Sequence, residues 1–383
     1  MKLLNTLLLV AVAGLCSCAN THKASDTAAL TSPQTDTVIN RTPTQATILF
    51  VGDAMQHQDQ LDRAKQIGAG KYDYSECFEL IAPAVQAADY AVVNLEVPLG
   101  GGKDGYTGFP CFSAPDSFAA ALKDAGFDLF LTANNHTLDR SDYGLRRTLQ
   151  VLDSLEVDHT GTFSDHTERT RLVPLIKEIK GIKVAFLNYT YGTNGLVAKD
   201  GAEVSLIDKQ TIAREMQLAR DKGAEITIVC MHWGVEYVLS ENASQRDLAD
   251  FLVSEGADLV IGSHPHVIQP MKVVHSDKHD KDCLVVYSLG NFISNMKTND
   301  TRGGALVSCL IERDATGKAS FKSATYDTFY SAKPDVAANS NFKVIPSWHE
   351  ARIPQSQLAW WHTFNNTARR VFSASNIDVP AAR

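Results

Sequence analysis

No run of lysine and arginine occurs anywhere in this 383-residue chain, and 36 basic residues stand against 44 acidic ones for a formal charge of −8. Binding to a nucleic-acid backbone needs a clustered positive face, so nucleic acid is excluded as a partner. An anionic substrate would have to be held locally, by a metal or a few cations, against a repulsive overall field. Cysteine is sparse and never spaced as CxxC, so a thiolate-rich structural zinc site is not expected. Cys230, Cys283 and Cys309 fall in apolar runs and read as buried thiols. A Cys77–Cys111 bridge is the pairing an oxidising compartment would allow. There is no repeated unit. Beyond the N-terminus no apolar run is long enough to span a bilayer.

What is present begins with "MKLLNTLLLVAVAGLCSC". Lys2 supplies a positive start, Leu7 to Leu15 an apolar stretch, and Leu15-Cys16-Ser17-Cys18 resembles a bacterial lipobox with Cys18 as the lipidated residue. The expectation is an extracytoplasmic, membrane-anchored lipoprotein, with a signal peptide at 1–18 and the membrane met through the lipid. Residues 19–45 are rich in Ser, Thr, Ala, Pro, Asp and Gln without apolar periodicity, the composition of a flexible tether. A main domain is expected at 46–328. Residues 329–383 form a C-terminal extension packing on it, with a helix around Gln355 to Phe372.

Short apolar runs recur through the main domain: Ala46 to Asp53, Tyr90 to Glu96, Asp128 to His136, Lys183 to Tyr189, Glu225 to His232, Asp258 to His266 and Cys283 to Asn291. Their near-continuous apolar character predicts strands covered on both faces. Between several of them, Glu76 to Ala88, Asp116 to Ala125, Tyr143 to Leu155, Lys209 to Lys222 and Ser244 to Glu255 carry helical periodicity. The pattern predicts a layered α/β domain with a mixed sheet.

Metal-competent residues follow nearly every strand. Asp53 and His57 follow the first, Asn94 and Glu96 end the second, and Asn134-Asn135-His136 ends the third. His232 ends "TIVCMH", His264 and His266 end "LVIGSHPH", and Asn291 follows "VVYSLG". Ligand sites of open α/β sheets lie outside the carboxyl ends of the strands. Imidazole with carboxylate and amide oxygen is the ligand set of a hydrolytic divalent-metal site. In His264-Pro265-His266, the two rings would project to one side of an extended segment. "NYTYGTNG", with Tyr191 and Asn194, suits a substrate-facing loop. Trp233, Glu236 and Tyr237 would line a cleft beside His232, and Lys103 and Arg302 are loop cations.

The stretches "VGDAMQHQ", "VVNLEVPLG", "LTANNHTLDRSDYGLRRTLQVLD", "NYTYGTNG", "VCMHWGVEY", "GSHPHVIQP" and "YSLGNFI" occur in that order. With them the chain resembles the CapA, or poly-γ-glutamate capsule-synthesis, family, whose fold is that of calcineurin-like metallophosphoesterases. The resemblance implies a layered α/β/β/α sandwich with mixed sheets. It implies one or two divalent ions (Zn, Mn or Fe) held by Asp53, His57, Glu96, Asn135, His232, His264 and His266. His136 would donate a proton with Asp139 orienting its ring, and Asn94, Asn134, Tyr191, Asn194, Glu236 and Asn291 would meet the substrate. Two positions depart from the superfamily pattern: Met55 stands where it has a histidine, and Asn94 and Glu96 replace a Gly-Asp pattern.

The implied function is metal-assisted hydrolysis or transfer at an anionic surface polymer or its lipid-linked precursor, alongside capsule-synthesis membrane proteins. Polymer binding or tethering without turnover, and hydrolysis of the polymer's amide bonds, are the alternatives.

Overall fold

Successive residues of a strand face opposite sides, and here both sides are apolar. Ile48 and Phe50 join one buried cluster while Leu49 and Val51 join another. The second sheet repeats the division, with Val184 and Phe186 on one side and Leu187 and Tyr189 on the other. The computed structural model describes residues 42–373 except 103 and 336. The expected signal segment with Cys18, most of the expected tether, and Lys103 therefore lie outside the described residues.

The first sheet has eight strands. Its central strand, Thr44–Ala54, pairs in parallel with Tyr90–Leu95, which is followed outward by Leu129–Leu131 and Asp158–Thr160. On the other side Gly303–Arg313, Ala319–Ala332 and Lys343–Pro346 continue it antiparallel. The short strand Asn291–Ile293 pairs with the end of the central strand. The second sheet has six strands, in the order Ile268–Ser276, Lys281–Leu289, Leu259–Ser263, Ile226–His232, Ile182–Thr190 and Leu175–Ile179.

One cluster, holding Phe50, Val92, Leu131, Phe186, Ile228 and Ile261, fills the space between the sheets. A second packs the helix Asp116–Asp124 on the outer face of the first sheet, through Phe118, Ala119 and Leu122. A third packs Lys209–Asp221 and Ala243–Ser254 on the outer face of the second, through Ile212, Met216, Ala249 and Leu252. The layers run α/β/β/α, as expected, with two mixed sheets.

Three details differ from the sequence reading. The expected helix Glu76–Ala88 is a turn at Ser75–Cys77 followed by the short helix Ala82–Gln86, because Pro83 fits only the first turn of a helix. A helix not foreseen, Gln58–Ile67, follows the first strand. The boundary expected near residue 328 falls inside the strand Ala319–Ala332, whose neighbour Lys343–Pro346 belongs to the same sheet. Cys77 and Cys111 are both free, the first buried and the second exposed. No helix among the described residues is long and apolar enough to cross a membrane.

Candidate metal centre

The site is the polar end of the layer between the sheets. On the strand Tyr90–Leu95, Val92 faces the inter-sheet core, and the same alternation carries Asn94 and then Glu96 to that side. On Ile226–His232 the series Ile228, Cys230, His232 does likewise. Register aligns Asp53 with Asn94 and Asn291 on the first sheet, and His232 with Thr190 and Ser263 on the second. Glycine makes room for this. A Cβ on Gly52 would come within 1.8 Å of the Gly290 carbonyl oxygen, so only glycine lets the Asn291 segment lie against the central strand.

The carboxylates and amides come from the first sheet. Asn94 Nδ2 donates to Asp53 Oδ1 at 2.7 Å. The two oxygens of Glu96, a fully buried residue, have no hydrogen-bond partner. His136 Nδ1 lies 2.8 Å from Asp139 Oδ2, and the same oxygen accepts from the Phe112 backbone N–H at 2.7 Å. The Phe112 ring packs edge-on against His136 at 4.6 Å between centroids.

The imidazoles come from the second sheet. His232 Nε2 lies 2.7 Å from Asn135 Oδ1 and 3.4 Å from Glu96 Oε1. His266 Nδ1 lies 3.1 Å from Asp53 Oδ2 and 3.0 Å from Asn291 Oδ1, while its Nε2 is 3.8 Å from Glu96 Oε1. The rings of His264 and His266 converge by a route different from the extended pairing expected. The strand ends at Ser263, and both histidines take left-handed backbone angles, φ +98° at His264 and +59° at His266. Such angles are costly for a residue with a Cβ and persist where surrounding structure fixes them. Here the His264 N–H reaches Asp53 Oδ2 at 3.3 Å, and Pro265 accepts from the Tyr237 N–H.

Electrostatics follow from burial. Burial, with the charges of neighbouring histidines, holds His232 well below the ordinary imidazole range and pushes His264 down to about 3. Both rings are therefore neutral at neutral pH; His264 Nδ1 has no partner, while the His232 nitrogens meet Asn135 Oδ1 and Asn94 Nδ2. Burial, then the neighbouring Asp53 carboxylate, raises Glu96 well above the carboxylate range. Burial works to raise Asp53 too, but the His266 hydrogen bond and charge outweigh it and leave that carboxyl low.

The unpartnered atoms test whether a metal fits. Glu96 Oε1 and Oε2, Asn94 Oδ1 and His264 Nδ1 are all buried without partners. A buried carboxylate with no donor is costly unless a cation completes it. Three groups place ligand atoms within 4.8 Å of one another: Glu96 with His232 and His264, Asp53 with Glu96 and His266, and Glu236 with His264 and His266. With Asn135 Oδ1 beside His232, this donor set fits a divalent ion.

Other expected residues stand elsewhere. His57 belongs to none of the three groups. It caps the helix Gln58–Ile67, with Nδ1 3.2 Å from Gln60 Oε1 and 3.3 Å from the Asn295 N–H, and burial lowers its pKa to about 4. Met55 is buried in the outer core of the first sheet. Asn134 uses its side chain to brace its own loop, through Leu95 O and the His136 N–H. Asn94 and Asn291 likewise stand behind the ligands, not at the mouth. Trp233 is buried, donating to Tyr287 O, and Arg302 is buried under the Trp360 ring.

The mouth itself is lined by Tyr191, 50% exposed with its ring 4.6 Å from His264, and Tyr237, 55% exposed and 6.2 Å from His266. Asn194 Oδ1 accepts from Asn135 Nδ2. Sequence reading missed Asn188, which ties the halves together by accepting from the Ala133 N–H at 2.8 Å and donating to Cys230 O at 3.3 Å. A polar residue two places beyond the buried Phe186, on the same face, was the available signal.

Two mixed sheets between helices, with carboxylates and amides from one meeting imidazoles from the other at the strand ends, define a layered α/β/β/α protein with a candidate metal centre between its sheets. Within that class, the family model for "Bacterial capsule synthesis protein PGA_cap" matches residues 47–296, and the chain belongs to that family. It is 29% identical over 279 residues to the PGA biosynthesis protein CapA of Bacillus subtilis (strain 168), covering 70% of this chain and 68% of the relative. To the capsule biosynthesis protein CapA of Bacillus anthracis it is 28% identical over 288 residues, covering 73% and 67%. Among solved structures, the NAD nucleotidase of Haemophilus influenzae has a TM-score of 0.45 at 10% identity, and covers 88% of this chain. The sulfate thiohydrolase SoxB of Thermus thermophilus has a TM-score of 0.40 at 12% identity, and covers 85%. This chain spans 58% and 61% of those two proteins, and at such scores the likeness carries no functional weight.

Proposed function

We propose that this member of the capsule-synthesis family acts on an anionic surface polymer or its lipid-linked precursor through a divalent-metal centre, at a membrane to which a lipid on Cys18 anchors it. The observation that carries the metal reading is Glu96, whose carboxylate is buried without a hydrogen-bond donor and faces His232 and His266. A bound divalent ion supplies Lewis acidity and neutralises charge developing on the substrate. The chain's own groups do the rest. Asp139 holds the His136 ring through Nδ1–H, so that Nε2, when it carries a second proton, is the nitrogen that would deliver it to a departing oxygen. Asn135 orients His232, and the Tyr191 and Tyr237 rings bound the entrance.

A second reading, metal-assisted binding of the polymer without turnover, is favoured by one feature. Met55 packs in the outer core and His57 belongs to none of the three ligand groups, which leaves the centre with fewer ligands from the first sheet. The test is to purify the untagged protein, measure its metal by plasma mass spectrometry, and assay it on phosphoester and amide substrates. Bound transition metal that is lost in His264→Ala, together with turnover, supports the first reading. Metal-dependent polymer retention without turnover supports the second. Protein that takes up no Zn, Mn or Fe would refute both.

A further inference from the structure

We infer that Glu236 is a metal ligand, the outer one for an ion held between His264 and His266. The inference rests on the metal reading above and adds a ligand from the rim where the first sheet supplies too few. One Glu236 oxygen and a ring nitrogen from each of the two histidines lie within 4.8 Å of one another. Glu236 is half-buried where Asp53 and Glu96 are fully buried, so it meets the histidine pair from the solvent side.

The placement is built into the fold. After the buried Trp233, Gly234 takes φ +95°, a left-handed angle that turns the chain back over the site. The Tyr237 N–H then donates to Pro265 O at 2.8 Å, joining the Glu236 loop directly to the His264-Pro265-His266 segment. From beneath, the fully buried Gln269 donates to Val238 O at 2.8 Å and Ser240 O at 3.1 Å, while Gln245 Nε2 donates to Gln269 Oε1 at 2.8 Å. The loop and the histidine turn are thus one stitched unit, and the Glu236 backbone cannot drift from the pair without breaking those bonds. Preorganisation of this kind is what a ligand position requires.

An outer carboxylate ligand differs in consequence from an inner one. With an ion bound, an anionic group of a substrate, carboxylate or phosphate, would approach from the side that Glu236 occupies, away from the buried Asp53 and Glu96. Glu236 would then set the affinity of one ion and mark the coordination position that substrate enters.

The test uses Mn2+ as the probe. Full-length untagged protein, stripped with chelator, is titrated by calorimetry beside Glu236→Gln and, as a control for general surface charge, Glu241→Gln. Glu241 lies near Arg246 and belongs to none of the three groups. The expected result is that Glu236→Gln loses one equivalent of Mn2+ or binds it about tenfold or more weakly, within the range for loss of a metal-supporting group, while Glu241→Gln matches the parent. Equal binding by all three, or an equal loss in both variants, would overturn the assignment and leave the inner site standing. Failure of the parent itself to bind Mn2+, Zn2+ or Fe2+ would overturn this inference together with the metal reading.

Discussion

The two sheets divide the chemistry between them. The first contributes Asp53, Asn94, Glu96, Asn135, His136 and Asp139, a set dominated by oxygen donors. The second contributes His232, His264 and His266, all nitrogen donors, with Glu236 on a loop that follows one of its strands. Neither half is a metal site alone. The difference teaches that the centre is an interface property: it exists because an apolar layer, from Phe50 and Val92 across to Phe186 and Ile228, holds the two strand edges at contact distance. The same burial that assembles the site lowers His232 and His264 and raises Glu96, so each half is tuned by the presence of the other.

The strongest way to break this arrangement is at the apolar layer. Phe186→Ala removes a fully buried ring between the sheets and should cost about 3–5 kcal/mol in urea unfolding. It should also weaken Mn2+ binding; unchanged affinity would mean that inter-sheet packing does not set the site.

Glu96→Gln separates stability from function. Because the folded-state pKa of Glu96 is raised, its contribution to stability is fully present below the unfolded pKa of 4.5 and is lost as pH rises through the folded value. The variant should therefore stabilise the metal-free protein at pH 7, by about 1–3 kcal/mol for relief of a buried unpaired charge. It should show little gain at pH 4, and should bind metal more weakly. A loss of metal-free stability at pH 7 would contradict the orphaned-carboxylate account.

Asn188→Leu removes the amide that joins the two sheets at the site and leaves the Ala133 N–H without its side-chain acceptor. The expected cost is about 1–2 kcal/mol in unfolding, with Mn2+ affinity reduced through the displaced Asn135 loop. A stability loss without any change in affinity would make Asn188 a brace only.

The most graded effect is that of pH on the imidazole half. His264 and His57 have folded-state pKa values lowered to about 3 and about 4, from an unfolded value of 6.5. The unfolded chain takes up those protons first, so stability present above pH 6.5 is lost progressively as pH falls toward those values. Thermal midpoints of the metal-free protein between pH 7 and 4 should fall accordingly, less steeply in His264→Ala. An identical slope in that variant would remove His264 from the account.

Much of this was legible in advance. The helices Asp116–Asp124, Lys209–Asp221 and Ala243–Ser254 have the expected periodicity, and the strand ends carry the polar residues that the sequence marks. His57 misled because a histidine four residues after a strand-end aspartate reads as a ligand, whereas its backbone begins a helix and its ring is drawn to Gln60 and Asn295. The His264-Pro265-His266 pair reads as extended until the left-handed angles are seen, and these are fixed by contacts with Asp53 and the Tyr237 loop, far away in sequence.

Local chemistry by itself determined the layered α/β character and the polar strand ends, because period and composition are properties of neighbouring residues. The tertiary structure alone decided which donors come within reach of one another, that Asn188 joins the halves and that Glu236 stands beside the histidine pair. Those depend on how two sheets, far apart along the chain, come to rest against each other.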